Sequence, residues 1–198
     1  MVVIVSSSFI LFVVELIMNA VELLLNRSSM PRLVAPGPSH EQLALLEAAA
    51  LRVPDHMNLT PYECHVFQNE ALHTLSEIFV AVASLEGLSE VEQTRAAQLP
   101  LRSPCLIIVT TRYCDEPKVP RQEQLASAAC ATMAMQQMAF AQGLGAIWRT
   151  GVYAESDHMK EALGISIDND IVGFLYVGTP AVPTPIKPKK DKSIFIQR

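Results

Sequence analysis

A long uncharged segment constrains the fold of this chain more than any other feature. It runs from Leu125 to Ala141 (LASAACATMAMQQMAFA). Pro120 can begin a helix ahead of it and Gly143 can end one, so the segment predicts a single long helix. Its serine, threonine and glutamines favour burial within protein over a membrane span. We expect this helix to pack against its own sheet or against a second subunit, because its apolar surface would otherwise form a large exposed patch.

Three apolar segments predict the strands of a sheet. Cys64–Asn69 is short, whereas Cys105–Tyr113 and Ile171–Pro180 are long apolar runs typical of central strands. These strands alternate with long helices along the chain. The alternation favours an α+β architecture in which helices pack on a sheet.

Capping residues and hydrophobic periodicity set the expected helix boundaries. A first helix from Ala20 to Leu25 must end before Pro31, which cannot continue it. Ser39 and Gln42 stand at capping-box spacing, and Asn69 is placed to cap a further helix. The buried face of that further helix is predicted to consist of Leu72, Leu75, Phe79 and Val82.

Charge and cysteine usage exclude several classes of protein. A net charge of −5 argues against a nucleic-acid-binding surface, which would be basic. The basic cluster Lys187–Lys192 is predicted to be a surface tail. The four cysteines form no C-x-x-C pair and the five histidines no H-x-x-x-H spacing. We therefore expect a cytoplasmic protein with reduced thiols, no metal site and no nucleic-acid partner.

The two ends of the chain differ from its middle. Residues 1–17 are apolar, but Glu15 interrupts the run before it reaches membrane-spanning length, and no positive charge precedes it. They are interpreted as an upstream extension of a reading frame that begins at Met18, or as a weak membrane or partner anchor. Residues 18–180 are expected to form one domain. The proline-rich residues 181–198 predict an extended arm whose tip could form a strand.

Two polar clusters could bind a ligand. Arg27, Ser28 and Ser29 can donate to phosphate oxygens, although cations also suit the C-terminal end of a helix for purely structural reasons. Arg52 and His56 lie in a loop whose donors could reach a heterocycle, although its proline, aspartate and asparagine are also ordinary turn residues. Neither interpretation is excluded by the residues alone.

The segment Gly143–Gly151 (GLGAIWRTG) is a third candidate. It contains the single tryptophan of the chain, Trp148, followed by Arg149 and Thr150. Its glycines suit either a simple turn after a helix or a backbone that must approach a flat, anionic ligand. It is not a dinucleotide fingerprint, because it follows a helix and Trp148 stands where the last glycine is needed. No P-loop or nucleophile-elbow motif occurs either, and no catalytic acid, base or nucleophile is predicted.

Four segments together resemble the nitroreductase family of FMN flavoproteins, and its short bacterial NAD(P)H nitroreductases in particular. They are NRSSMPR, RVPDHMNLTPY, VPRQEQLASAACATMAMQQMAFAQGLGAIWRTG and IVGFLYVGTP. The resemblance extends from about Met18 to Pro180. It implies a mixed, mostly antiparallel sheet sandwiched by helices, and an intertwined homodimer with FMN at the subunit interface.

The resemblance also implies which residues contact the cofactors. The expected FMN contacts are Arg27, Ser28, Ser29, Arg52, His56, Trp148, Arg149 and Thr150, with Arg52 and His56 reaching the flavin held mainly by the other subunit. The expected NAD(P) contacts are Met138, Ala139, Phe140, Ala141, Gln142 and Gly143. Two positions depart from the family pattern. Ser28 replaces a second arginine, and Thr60-Pro61-Tyr62 stands where Gln-Pro-Trp is usual.

The activity implied by the resemblance is an FMN-dependent oxidation of NAD(P)H. A hydride passes to the flavin and then to a nitroaromatic or quinone-like acceptor in two successive half-reactions, so the cofactor carries the chemistry. Arg52 and His56 are candidates to stabilise the negative charge of the reduced flavin. Two alternatives stay open, namely a flavoenzyme of different chemistry on the same scaffold and a non-enzymatic FMN-binding protein.

Overall fold

The computed structural model describes residues 19–188, 191 and 193–198, in which helices alternate with strands. The helices are α1 (Ala20–Asn26), α2 (His40–Ala50), α3 (Glu70–Leu85), α4 (Glu90–Ala96), α5 (Arg121–Ala141), α6 (Val152–Glu155) and α7 (Asp157–Ala162), with 3-10 turns at His56–Asn58 and Pro100–Arg102. The strands are β1 (Leu33–Val34), β2 (Tyr62–Gln68), β3 (Cys105–Thr111), β4 (Gly145–Arg149) and β5 (Ile171–Pro180). The apolar extension predicted at residues 1–17 lies outside the described residues.

The sheet is organised around β5. Its strand order is β1-β5-β3-β2, and β4 is a further partner of β5. Every pairing among the described residues is antiparallel, which confirms the mainly antiparallel character expected of the sheet. In the β4–β5 ladder Ile147 lies opposite Tyr176 and Arg149 opposite Phe174. This ladder places the segment predicted to bind a ligand directly beside the central strand β5.

Each face of the sheet has its own apolar core. Successive side chains of a strand point to opposite faces. Leu106 and Ile108 therefore join the core that contains the buried face of α3, whereas Ile107 and Val109 join the core that contains buried residues of α2 and α5. The helices thus cover the sheet on both sides, as the sequence predicts.

The long uncharged helix is confirmed as α5. It begins directly after Pro120, and Gly143 follows its end with a φ of +76°, in the left-handed region. One side of α5 is buried against α2 and the sheet. Leu125, Ala126 and Cys130 stay exposed on the other side. Its own domain therefore covers only part of the apolar helix.

Two boundary predictions need correction. Asn69 precedes α3 as expected, but its φ is +52° and its side chain makes no capping hydrogen bond. The backbone turn at Asn69, rather than its amide, sets the start of the helix. The strand predicted to begin at Cys64 begins at Tyr62, because the whole of β2 pairs in register with β3.

The structure also contains elements that the sequence did not predict. No strand was expected within Gly143–Gly151, yet five of its residues form β4 by pairing with β5. Helix α4 was missed as well, although Ser89 and Glu92 form a complete capping box at its start. Conversely, residues 193–198, which could have formed a strand at the tip of the arm, are described without regular structure.

Candidate functional site

The segment that follows α1 runs alongside β4. The backbone N–H of Met30 donates to the carbonyl of Ala146 at 2.9 Å. Gly145 permits this approach, because a Cβ at that position would lie 2.6 Å from Leu33 Cδ2 and 3.0 Å from Met30 Cγ. Two of the predicted clusters, around residues 27–29 and 148–150, are therefore attached to the same strand.

Ser28 is the most unusual residue of the first cluster. It is only 4% exposed, and its Oγ has no hydrogen-bond partner. Within the described part of the chain it is the one fully buried side-chain oxygen or nitrogen that lacks a hydrogen-bond partner. An unsatisfied buried hydroxyl costs about 1–3 kcal/mol, so a partner for it is expected. Arg27 and Ser29, half-buried on either side, add further donors.

The cluster of Trp148, Arg149 and Thr150 is divided between the two faces of the sheet. The Trp148 indole N–H donates to the Val172 carbonyl at 3.2 Å, and its ring packs on the core shared by α2 and α5. Arg149 follows on the strand and so points to the other face. Trp148, Arg149 and Thr150 all line a cavity of about 510 Å³. Trp148 thus has a structural role in the core as well as a place beside the cavity.

The loop that carries Arg52 and His56 is fixed by turn chemistry. The backbone N–H of Thr60 donates to the Asp55 carboxylate at 2.7 Å. The Nδ1 atom of His56 lies 2.8 Å from a carboxylate oxygen of Glu123, in the first turn of α5. Arg52 and His56 nevertheless remain exposed. The loop is a turn, as one interpretation held, and it still presents two basic side chains.

The predicted NAD(P) contacts form the C-terminal end of α5. Phe140 and Gly143 line a second cavity of about 510 Å³ together with residues of the arm after β5. Gln142 Nε2 donates to the Gln42 carbonyl at 3.4 Å. Ala139 is fully buried, and Met138 is half-buried against the core under α2. In a single chain the accessible part of this segment is therefore its last turn.

The structure brings together some of the predicted residues but not all. The clusters at 27–29 and 148–150 share β4, whereas Arg52 and His56 are tied to the start of α5 by the bond to Glu123. Sequence reasoning missed Arg95 and Arg102, which line the same cavity as Arg149. They belong to α4 and the following 3-10 turn, and the Ser89–Glu92 capping box was the local signal that could have located that helix.

No helix in the described ranges combines the length and apolar character needed to cross a bilayer. Nor does any group of three or more histidine, cysteine, aspartate or glutamate side chains there lie close enough to hold a metal ion.

Comparison with known proteins identifies the family. The family model described as "Nitroreductase family" matches residues 26–179. The chain is 42% identical over 163 residues to "Putative NAD(P)H nitroreductase YdjA" of Escherichia coli (strain K12), with 82% of this chain and 89% of that relative covered. It is 36% identical over 165 residues to "Putative NAD(P)H nitroreductase" of Haemophilus influenzae, with the same coverage. The chain belongs to the nitroreductase family, as the four sequence segments indicated.

Solved structures agree on the fold. The nitroreductase-like family protein from Bacillus cereus superimposes with a TM-score of 0.75 at 19% identity, with 89% of this chain and 92% of that one covered. A nitroreductase from Desulfovibrio desulfuricans, solved in complex with FMN, gives a TM-score of 0.70 at 17% identity, with coverages of 92% and 98%. At these identities the likeness establishes the fold, and it confirms the predicted α+β class.

Proposed function

We propose that this chain is an FMN-dependent NAD(P)H oxidoreductase that reduces nitroaromatic or quinone-like acceptors. Its family membership and the names of its relatives support the reaction class. FMN-bound structures of the same fold support the cofactor. The observation in this chain that carries the proposal is the buried, unpartnered Ser28 hydroxyl between two other donor residues.

The donor groups of this chain fit the polar groups of FMN. Arg27, Ser28 and Ser29 offer a guanidinium and two hydroxyls, and a bound acceptor would satisfy the orphan Ser28 oxygen. Arg149 and Thr150 add donors at the end of β4. When bound, FMN supplies the two-electron redox chemistry, and the protein supplies binding, orientation and electrostatics. This division of labour accounts for a candidate site without a nucleophile or an acid–base pair.

Arg52 and His56 are proposed to stabilise negative charge on the flavin of the partner subunit. Both are basic and exposed on a loop fixed by backbone hydrogen bonds. The Glu123 carboxylate lies 2.8 Å from His56 Nδ1, so the imidazole is held with Nε2 directed away from α5. The pair thereby fixes the orientation of the imidazole before any ligand arrives.

We propose that the nicotinamide dinucleotide is contacted by the last turn of α5. Met138, Phe140, Ala141 and Gln142 are partly accessible there, and Gly143 is exposed. Ala139 is buried and can take part only through its backbone or by supporting its neighbours. The cavity beside Phe140 and Gly143 gives this turn an open apolar surface.

The surface of a single chain supports a homodimer with FMN at the interface. Val21, Leu24 and Leu25 of α1 are 62–76% exposed, and Ile194, Phe195 and Ile196 of the arm are 80–86% exposed. Patches of this kind mark interaction surfaces. The α1 patch lies near the start of the proposed FMN domain, residues 18–180. The other patch lies near the end of the arm, residues 181–198. All four cysteines are free, which supports a reducing, cytoplasmic environment.

The visible absorbance spectrum of the purified protein tests the cofactor, and steady-state kinetics test the activity. We expect flavin that is released on denaturation and identified as FMN. We also expect NADH or NADPH consumption that rises when a nitro compound or quinone is added. Consumption without stimulation by any such acceptor would favour a different flavin chemistry. Bound FMN that is reduced no faster than free FMN would favour a non-enzymatic FMN-binding protein.

A further inference from the structure

Three arginines from different elements converge on the cavity beside β4. Arg95 belongs to α4, Arg102 to the following 3-10 turn and Arg149 to β4. Within the described residues none of their guanidinium groups pairs with a carboxylate. Three converging cations with a single carboxylate in the same lining repel one another, so a site that gathers them is suited to an anion.

The surroundings of Arg102 show this repulsion. Burial lowers the pKa of the Arg102 guanidinium, and the charges of Arg95 and Arg149 lower it further. Glu92 is the acidic residue among the described residues that line the cavity. Its carboxylate already accepts from the backbone N–H of Ser89 at 3.0 Å and from the Ser89 hydroxyl at 2.7 Å. These hydrogen bonds to Ser89 and, less strongly, the charge of Arg95 lower the pKa of Glu92, so Glu92 keeps its negative charge. One carboxylate nevertheless faces three guanidinium groups, so the cavity lining has a net positive charge.

A buried tyrosine adds a neutral donor to the same cavity. Tyr176 is 3% exposed and lines the cavity, and its hydroxyl makes no hydrogen bond within the described residues. Unlike Ser28 Oγ, this oxygen is not fully buried, so it is accessible from the cavity. Burial raises the pKa of Tyr176, so the phenol keeps its proton at neutral pH. Because Tyr176 lies opposite Ile147 in the β4–β5 ladder, its position is fixed by the centre of the sheet. The cavity thus presents three guanidiniums and one rigid hydroxyl donor.

We propose that Arg95, Arg102 and Arg149, together with Tyr176, bind a phosphate monoester. Guanidinium groups match phosphate oxygens with paired donors, and a doubly charged group balances more of the positive charge than a carboxylate does. The proposed reaction brings two such groups to the protein, the phosphate of FMN and the extra phosphate that distinguishes NADPH from NADH. The assignment of the cavity to either source rests on the proposed function. Its affinity for a phosphate group does not.

The test compares Arg95→Gln and Arg102→Gln with a matched control. Arg121→Gln removes a guanidinium that lies over the Tyr113 ring, 4.7 Å from its centroid and outside the cavity. Affinities are measured for FMN and riboflavin on flavin-free protein, and for NADP⁺ and NAD⁺ on the FMN-loaded protein. The effect of inorganic phosphate on the Tm of the flavin-free protein, against chloride at equal ionic strength, is measured in parallel.

Each cavity variant is expected to bind one phosphate-bearing ligand about 10- to 100-fold more weakly, while Arg121→Gln binds as wild type does. Loss of FMN affinity with unchanged riboflavin affinity assigns the cavity to the flavin phosphate. Loss of NADP⁺ affinity with unchanged NAD⁺ affinity assigns it to the dinucleotide. Arg102→Lys should recover part of the affinity, because it restores the charge without the paired donors, and this separates binding from misfolding.

The proposal is overturned when FMN, NADP⁺ and inorganic phosphate all bind both glutamine variants as tightly as wild type. A chain that binds no flavin would refute the proposed function instead. In that case the stabilisation by inorganic phosphate, and its loss in the two variants, would still decide whether the cavity takes phosphate.

Discussion

The indole of Trp148 lies directly against the backbone of Gly173. A Cβ at position 173 would overlap the indole ring and would lie 2.7 Å from the carbonyl oxygen of Arg149. Gly173 also has a φ of +152°, which side-chain-bearing residues rarely adopt. We expect Gly173→Ala to lower the free energy of unfolding by about 2–4 kcal/mol, as measured by denaturant titration.

Gly87→Ala is the matched control for this substitution. Gly87 has a φ of +67°, but no atom lies within 4 Å of the Cβ position. Backbone strain alone should therefore destabilise Gly87→Ala, by about 1–2 kcal/mol. An equal loss of stability in the two variants would show that the contact between Trp148 and Gly173 is unimportant.

Pairing with a distant strand explains why sequence reasoning missed β4. The segment is short and lies between glycines, so its local pattern resembles a turn. It becomes a strand because Ala146 and Trp148 pair with residues of β5 that lie far away in the sequence. By contrast α3 and α5 were predicted well, since their apolar periodicity and terminal residues are local signals. Pairing between distant strands has no such signal.

Ser28→Ala should have opposite effects on the free and the flavin-bound protein. In the flavin-free protein the substitution removes an unsatisfied hydroxyl, so we expect an unchanged or higher Tm. We expect FMN to bind about 5- to 20-fold more weakly, because one donor to the ligand is lost. Calorimetry and fluorescence titration measure the two effects.

Ser103→Ala is the control for Ser28→Ala, because both residues are 4% exposed. The Ser103 hydroxyl donates to the carbonyl of Cys105 at 2.6 Å. Its loss should lower stability by about 1 kcal/mol and leave the affinity for FMN unchanged. A Ser28→Ala protein that is destabilised to the same extent would mean that the hydroxyl already has a partner inside the fold.

Arg149→Ala and Arg27→Ala are each expected to weaken FMN binding. A charge-assisted hydrogen bond from a partly buried guanidinium is worth on the order of 2–4 kcal/mol, which corresponds to about 30- to 1000-fold in the dissociation constant. If Arg149 binds the phosphate, riboflavin affinity should barely change. If it contacts the ring, both ligands should weaken together. A wild-type dissociation constant for FMN would remove Arg149 from the site.

Charges placed on the exposed face of α1 should dissociate the proposed homodimer. In analytical ultracentrifugation at micromolar concentration we expect the wild-type protein to be a dimer. We expect Leu24→Glu and Leu25→Glu each to increase the fraction of monomer and to lose bound FMN. These side chains are 64% and 76% exposed in the single chain, so the substitutions should not damage its core. Val91→Glu, at a position that is 78% exposed on α4, should leave the dimer intact. A wild-type protein that is a folded, FMN-bound monomer would contradict the proposal.

A chain that begins at Met18 should retain the fold, the solubility and the FMN content of the full chain. The match to the nitroreductase family begins at residue 26, and among the described residues the two cores on the sheet begin at Met30 and Leu46. Flavin content and Tm of the two forms test this expectation. Failure of the shorter form to fold would give residues 1–17 a structural role, and recovery of only the longer form with membranes would make them an anchor.

The candidate site divides into a part that sequence could predict and a part that it could not. Arg27, Arg52 and Arg149 stand within recognisable family segments, so the resemblance singled them out. Arg95 and Arg102 lie outside those segments, in a stretch with no assigned element. They reach Arg149 only because α4 and the 3-10 turn pack over the same face of the sheet. The lack of a hydrogen-bond partner for Ser28 Oγ likewise results from packing, so it could not be predicted from the sequence.

The central position of β5 has a consequence for the dynamics of this protein. Its residues 174–177 are paired with β3 and with β4 at the same time, and both apolar cores rest on them. Their backbone amides can therefore exchange with deuterium only when the whole sheet comes apart. Tyr176 and Phe174, the partner of Arg149, belong to this stretch and form the sheet side of the cavity. That side of the cavity should keep its shape until the domain unfolds as a unit.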